Sequence, residues 1–212
     1  MKKLAFSREL KKIGVIGVDE VGRGPLAGPV TVCATYLMDP LLVKKDLFLD
    51  TVRDSKKINK ALRNSIYQTI RNKRTNIYLV KYAIKSKSAS YIDTHGISKA
   101  IRNCVKEVIL DLKKQGVPVY SIKVNLDAGL KVAIEGVVEE SYIKGDERYV
   151  EIALASIIAK EYRDSYMKRI AKEHSNYSWE RNVGYGTKEH REAITKFGPC
   201  KHHRNSFLKA FK

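Results

Sequence analysis

Two adjacent carboxylates stand at the end of an apolar stretch near the start of the chain. Asp19 and Glu20 follow the apolar residues 13–18 and precede a glycine-rich segment, residues 22–29. A carboxylate at the end of a buried strand must be paired, protonated or bound to a metal ion. Neighbouring strand residues point to opposite faces, so the two acids share one site only if the backbone turns after them. The glycines permit that turn, and a plain salt bridge is the alternative.

The glycine-rich segment fits neither of the common nucleotide-binding motifs. Gly22 and Gly24 lack a third glycine at the dinucleotide-binding spacing, Pro25 occupies the place where a helix should begin, and no Gly-Lys-Ser/Thr follows. The glycines on both sides of Arg23 instead expose backbone N–H and C=O groups beside the carboxylates. This suits close approach by a sugar-phosphate backbone, although a simple tight turn would use the same residues.

Two further acids complete a possible group of four. Asp127 ends the predicted strand 120–126, and Asp146 precedes a long predicted helix. Sites in α/β proteins assemble where strands end. Four converging carboxylates would repel one another unless divalent cations neutralised them, and oxygen ligands favour Mg²⁺ or Mn²⁺. Taken singly, each acid would more often be a helix cap or a surface charge, so only their joint placement indicates a site.

The apolar periodicity switches between two and about 3.6 residues along the chain, which predicts an α/β fold. Helices are predicted after Asn59, over residues 97–112 and from about residue 149. The last thirty or so residues are predicted to form short helices. Because no repeat or linker interrupts the sequence, we expect one domain over residues 1–212, with a helical region from about 180 to 212 packed on it. The predicted strands cover residues 13–18, 29–37, 76–84 and 120–126, and a short segment over residues 137–143 precedes the long helix.

The charge calls for an anionic partner. The 212 residues include 41 Lys and Arg against 23 Asp and Glu, a formal net charge of +18. Nucleic acid and an anionic membrane surface both satisfy that charge. No apolar run approaches the roughly 18 residues that a membrane span needs, and the first residues lack the apolar core of an export signal. Three widely separated cysteines suggest reduced thiols in a cytoplasm. We also expect a monomer.

Taken together, the motifs resemble the type 2 ribonucleases H, the ribonuclease HII family of bacteria, over almost the whole chain. The first signature of that family is similar to residues 17–25, and the strand-end acid corresponds to Asp127. The remaining similar segments are residues 54–57, 144–146, 155–160, 163–164, 184–187 and 202–207. The chain departs from the family pattern at Ala128 and near Glu151, and neither departure removes a catalytic group.

The resemblance implies an RNase H-like fold, a central mixed sheet flanked by helices. It also implies hydrolysis of RNA in RNA/DNA hybrids and nicking on the 5′ side of a ribonucleotide embedded in duplex DNA, with 3′-hydroxyl and 5′-phosphate products. Two Mn²⁺ or Mg²⁺ ions would be held by Asp19, Glu20, Asp127 and Asp146. In such a site one ion activates water and the other stabilises the leaving oxygen.

The same resemblance assigns substrate recognition to Gly22, Arg23, Gly24 and Tyr185, which would sense the 2′-hydroxyl and the junction between RNA and DNA. A 2′-hydroxyl both donates and accepts hydrogen bonds, so fixed backbone groups can detect it. A second set is predicted to contact the substrate, mainly through its phosphates, although a basic run is often only a solvated face. These residues are Ser55, Lys56, Lys57, His203 and Arg204.

Two other interpretations remain open at this point. The related type 3 enzymes share the acids but have a different counterpart of Gly22-Arg23-Gly24 and an additional N-terminal domain, so the short stretch before the first strand favours type 2. A non-catalytic basic nucleic-acid-binding protein would explain the charge without using the acids. The sequence does not decide whether a replication clamp or polymerase is a partner.

Overall fold

The computed structural model describes residues 14–39, 43, 59–72, 80–127, 130 and 132–209. Its centre is a five-stranded sheet with the order β3-β2-β1-β4-β5. The pairs β1/β2 and β2/β3 are antiparallel, whereas β1/β4 and β4/β5 are parallel. The predicted α/β fold with a mixed sheet is confirmed. The strands are β1 (Val15–Val21), β2 (Val30–Leu37), β3 (Val80–Lys87), β4 (Val124–Asp127) and β5 (Glu139–Tyr142).

Helices cover both faces of the sheet. The first begins after Asn59, whose side chain accepts a hydrogen bond from the N–H of Leu62 (2.9 Å), the N-cap predicted from the sequence. The helix predicted over residues 97–112 ends near Gly116, which has φ +80°. The helices are α1 (Lys60–Arg71), α2 (Ala89–His95), α3 (Ile97–Lys114), α4 (Val150–Ala171), α5 (Trp179–Asn182) and α6 (Lys188–Phe197).

Three strand boundaries differ from the prediction. β1 continues beyond residue 18 because its pairing with β2 extends through Asp19 and Glu20. The strand predicted at 120–126 begins only at Val124, since turns around Pro118 precede it and Tyr120 is 52% exposed. β3 occupies Val80–Lys87 instead of residues 76–84, and residues 76–79 lie outside the described part of the chain.

Two apolar layers sandwich the sheet, and a third cluster holds the C-terminal segments. α3 packs its apolar stripe on one face, and α4 packs with α1 on the other. α4 is buried on nearly all sides because it lies between the sheet and α1. The third cluster joins the end of α4 to α5 and α6 through Met167, Trp179 and Ala193. In the described residues, no helix has the length and apolar character needed to cross a membrane.

Close packing between β1 and α4 fixes the position of the acids at the end of β1. Gly17 lies directly beneath the first turn of α4, and a Cβ atom there would come within 2.3 Å of the carbonyl carbon of Glu151. Thr35 on the neighbouring strand donates from its hydroxyl to the same Glu151 carbonyl (2.8 Å). The sheet and the helix therefore meet backbone to backbone at this point.

Candidate active site

A cavity of about 400 Å³ opens where β1 and β4 end side by side. The parallel pairing of β1 with β4 brings their carboxyl ends to the same edge of the sheet. Residues from β1, the loop after it, β4, α1 and α4 line the cavity together with Tyr185. The full lining consists of Asp19, Glu20, Val21, Gly22, Arg23, Gly24, Arg63, Asp127, Ser156, Ile157, Lys160 and Tyr185.

Asp19 is the most buried acid in the cavity lining, with 6% of its surface exposed. One of its oxygens accepts the N–H of Glu20 (2.8 Å), and its side chain is hydrogen-bonded to Ser156. Burial raises its pKa well above the ordinary value, and the negative charges of Glu20 and Asp127 add to that rise against the opposing hydrogen bond of Ser156. The cavity therefore concentrates negative charge and favours a cation.

Asp127 is oriented by a backbone group. Its Oδ1 atom accepts the N–H of Gly145 (2.8 Å). A Cβ atom on Gly145 would lie 2.6 Å from Ile152 and 3.3 Å from that carboxylate oxygen, so glycine allows the close approach. Asp146 follows directly, is 1% exposed, and does not belong to the cavity lining. The structure thus gathers three of the four predicted acids in one cavity. The fourth, Asp146, directly follows the glycine that donates to Asp127.

The basic side chains of the cavity are joined to acids. Glu20 lies 3.5 Å from the guanidinium of Arg23, so the salt bridge considered for this acid exists. Arg63 binds Glu161 (3.0 Å), and Lys160 binds Asp164 (3.0 Å). Arg63 and Lys160 were not proposed as site residues from the sequence. Lys160 belongs to a segment that resembles the family, whereas no local pattern distinguishes Arg63.

The donor set suits a hard divalent cation in an open site. Asp19, Glu20 and Asp127 offer only oxygen ligands. Within the part of the chain that the structure describes, no group of three or more His, Cys, Asp or Glu side chains is disposed to hold a metal ion without help. Mg²⁺ commonly binds to one or two carboxylates and completes its shell with water and substrate phosphates. The carboxylates therefore fit a cation that is shared with the substrate.

The glycine loop, residues 22–24, and Tyr185 were predicted to recognise the substrate. They line the same cavity as the acids. Gly22 has φ +87°, and a Cβ atom there would lie 2.3 Å from Nε of Arg163, so only glycine fits. Arg23 and Gly24 are exposed, and Tyr185 is 41% exposed. These residues are accessible to a ligand in the cavity.

The prediction that His203 and Arg204 contact phosphates is wrong, because they are 1% and 0% exposed. The N–H of Cys200 donates to Nδ1 of His203 (2.9 Å), which leaves Nε2–H of His203 to donate to Nε2 of His190 (3.2 Å). Nδ1 of His190 then donates to the carbonyl of Tyr185 (2.8 Å). Burial lowers the pKa of His203 to about 4, so it is neutral at pH 7. His203 supports Tyr185 from inside the protein.

Arg204 likewise points into the protein, where it donates hydrogen bonds to the backbone carbonyls of residues 22, 23 and 28. The basic residues of this segment resembled a phosphate-binding surface. Only the tertiary contacts show that the side chains of His203 and Arg204 point into the protein. Ser55, Lys56 and Lys57 lie outside the described residues.

Comparisons with known proteins agree with this arrangement. The family model for ribonuclease HII matches residues 16–210. A ribonuclease HII of Clostridium acetobutylicum is 42% identical over 211 residues, which cover 99% of this chain and 78% of the relative. The chain belongs to the ribonuclease HII family. It is therefore an endoribonuclease that acts on RNA/DNA hybrids, and the non-catalytic interpretation is set aside.

Solved structures show the same fold at lower identity. The ribonuclease HII of Archaeoglobus fulgidus, solved in complex with PCNA, has a TM-score of 0.74 at 24% identity and covers 91% of this chain and 94% of its own. Bst-RNase HIII in complex with Mn²⁺ has a TM-score of 0.62 at 19% identity, covering 94% of this chain and 66% of its own. The predicted RNase H-like fold is confirmed.

Proposed function

We propose that this member of the ribonuclease HII family nicks duplex DNA on the 5′ side of an embedded ribonucleotide and leaves 3′-hydroxyl and 5′-phosphate ends. The proposal also covers the RNA strand of longer hybrids. The observation that supports it most strongly is that Asp19, Glu20 and Asp127 line the same cavity as the glycine loop and Tyr185. The acids offer ligands for cations, and the loop and the tyrosine offer groups that can contact a sugar.

Divalent cations, Mn²⁺ or Mg²⁺, would be held by Asp19, Glu20 and Asp127, with Asp146 as the fourth acid. When bound, such ions lower the pKa of an attacking water and offset the charge that develops on the phosphate and leaving oxygen. The Mn²⁺ complex of the type 3 relative supports this choice of metal. A pair of ions would also compensate the negative charges of Glu20 and Asp127, which add to the effect of burial in raising the pKa of Asp19.

The chain's own groups orient these acids before substrate arrives. Ser156 and the N–H of Glu20 hold Asp19, and the N–H of Gly145 holds Asp127. Carboxylates fixed in this way lose little freedom on binding cations and substrate, and that preorganisation lowers the barrier to reaction. Gly22, Arg23 and Gly24 would meet the sugar-phosphate backbone at the ribonucleotide, and the ring of Tyr185 would pack on the sugar at the junction.

Affinity for the duplex would come mainly from charge. The formal excess of 18 positive charges supplies contacts to phosphates that do not depend on base sequence. Binding should therefore weaken with rising salt, whereas the choice of cleavage position depends on the cavity. Ser55, Lys56 and Lys57 remain proposed contributors to substrate contact.

The proposal is tested by removing one carboxylate charge at a time. Asp19→Asn and Asp127→Asn should each lower Mn²⁺-dependent cleavage of an RNA/DNA hybrid by about a hundredfold or more, the scale of losing one group that stabilises developing charge. Duplex binding, measured by fluorescence anisotropy, should persist. Asp111→Asn is the matched control. Asp111 is also ion-paired, with Lys85, but it lies on α3 and does not line the cavity. Wild-type cleavage rates in both cavity variants would contradict the proposed metal site.

A further inference from the structure

The loop between β1 and β2 is held by two buried arginines. Arg204 donates from Nε to the carbonyl of Gly28 (3.0 Å), from Nη1 to that of Arg23 (3.0 Å) and from Nη2 to that of Gly22 (2.6 Å). Arg163 donates from Nε to the carbonyl of Pro29 (2.9 Å) and from Nη2 to that of Ala27 (3.1 Å). Both arginines are 0% exposed. Five donor groups of the two side chains thus bind backbone carbonyls of one short loop.

These are costly groups to bury. Burial lowers the pKa of both guanidiniums, that of Arg204 to about 9. An arginine side chain keeps its charge in a protein at neutral pH. In the described residues, neither forms a salt bridge with a carboxylate, and their hydrogen bonds go to backbone carbonyls. A buried charge of this kind contributes little net stability and is better explained by the conformation that it imposes.

The imposed conformation turns two N–H groups outward. In a trans peptide, the C=O of one residue and the N–H of the next point in opposite directions, and no peptide bond in the described chain is cis. Because Arg204 draws the carbonyls of Gly22 and Arg23 inward, the N–H groups of Arg23 and Gly24 point away from it. Successive N–H groups facing one side form a concave site for an anionic or hydroxyl oxygen.

Arg163 and two backbone hydrogen bonds connect this loop to the segment that leads into Tyr185. Nη1 of Arg163 donates to the carbonyl of Val183 (2.9 Å). The carbonyl of Gly184 accepts the N–H groups of Leu26 (2.8 Å) and Ala27 (3.2 Å). The two halves of the recognition site are therefore tied together through a common set of buried hydrogen bonds.

We propose that Arg163 and Arg204 are positioning residues for ribonucleotide recognition, which fix the glycine loop and the Tyr185 segment as one rigid surface. This inference rests on the proposed function. A long hybrid offers a 2′-hydroxyl in every register, so a loosened surface still finds productive positions. A duplex with one ribonucleotide offers a single productive register, and a loosened surface should fail there first.

The test compares two substrates in each variant. In Arg204→Lys and Arg163→Lys the charge remains but the three-way hydrogen bonding is lost. We expect the ratio of kcat/KM on a single-ribonucleotide duplex to kcat/KM on a long hybrid to fall at least about fivefold, mainly through kcat. Leu112→Ala is the stability control, since Leu112 is buried in α3 away from the cavity, and its ratio should equal that of the wild type.

Phe207→Leu provides a milder variant if the lysine variants do not fold, because the Phe207 ring lies 5.1 Å from the guanidinium of Arg204. It should lower the same ratio while Arg204 itself is retained. Unchanged ratios in the folded variants would overturn the inference. A wild-type enzyme that cleaves hybrids but does not nick the single-ribonucleotide duplex would refute the proposed function instead, so the two failures are distinguishable.

Discussion

The buried side chain of Glu151 provides a direct test of the packing of α4 on the sheet. Its side chain is 0% exposed in the first turn of α4. Oε1 accepts a hydrogen bond from the amide of Asn125 (2.7 Å), and Oε2 has no hydrogen-bond partner among the described residues. Burial raises the pKa of this carboxyl from its ordinary 4.5 to about 7. Between pH 4.5 and about pH 7, the folded protein therefore keeps a proton on Glu151 that the unfolded chain releases.

The sign of the effect on stability follows from this difference. Below pH 4.5 both states hold the proton, and the stabilisation from the neutral buried acid is fully present. As pH rises through 4.5 and on through about 7, the unfolded chain loses the proton first, so the free energy of unfolding falls. At about 1.4 kcal/mol per pKa unit, the loss is on the order of 3 kcal/mol.

Replacing Glu151 with Gln should remove this pH dependence, because the amide is neutral throughout and still accepts from Asn125. Urea unfolding followed by the fluorescence of Trp179, the one tryptophan, measures the effect. Between about pH 5 and about pH 8, the variant should gain up to about 3 kcal/mol relative to wild type. Glu192→Gln, an exposed acid on α6, is the matched control and should change nothing. Parallel stability curves for wild type and Glu151→Gln would refute the reasoning.

Three other predictions concern the packing of Gly17 against α4, the role of Tyr185 and binding to the duplex. Gly17→Ala should cost at least about 2 kcal/mol of unfolding stability by overpacking, whereas Gly24→Ala, whose Cβ would meet nothing within 4 Å, should cost far less in the same urea assay. Tyr185→Ala should reduce nicking of a single-ribonucleotide duplex about tenfold or more, the scale of a lost stacking contact, and steady-state kinetics with Tyr185→Phe as control would measure it. Raising salt should weaken duplex binding in wild type and Asp19→Asn alike, with equal log–log slopes by anisotropy.

The sheet was largely predictable because its signals are local. Apolar runs with strand-forming residues located β1 and β2, and the N-cap at Asn59 located the start of α1. The end of β1 was set too early because the acids interrupt the apolar run. Backbone pairing of Asp19 with Cys33 and of Glu20 with Val32 continues the strand regardless of those charges. A local pattern contains no information about such pairing.

The acids that are proposed to hold the cations were located by the strand ends and by resemblance, but the roles of the buried basic residues were not. Arg204 lies 182 positions from Gly22, to which it donates, and such a contact leaves no trace in local spacing. The same holds for His203, which acts on Tyr185 only through His190. A basic residue in a loop is most often solvated. Arg204 departs from that expectation because backbone carbonyls accept its hydrogen bonds. His203 departs from it because its two ring nitrogens are hydrogen-bonded to Cys200 and His190.

We propose that the acids and the glycine loop act together at one position on the substrate. The most direct measurement is incubation of the wild-type protein with an end-labelled DNA duplex that contains one ribonucleotide, with Mn²⁺, with Mg²⁺ and with a chelator. We expect a single nick on the 5′ side of the ribonucleotide, and that cleavage should require the metal. Binding without cleavage, cleavage in the presence of the chelator, or a cut on the 3′ side would contradict it.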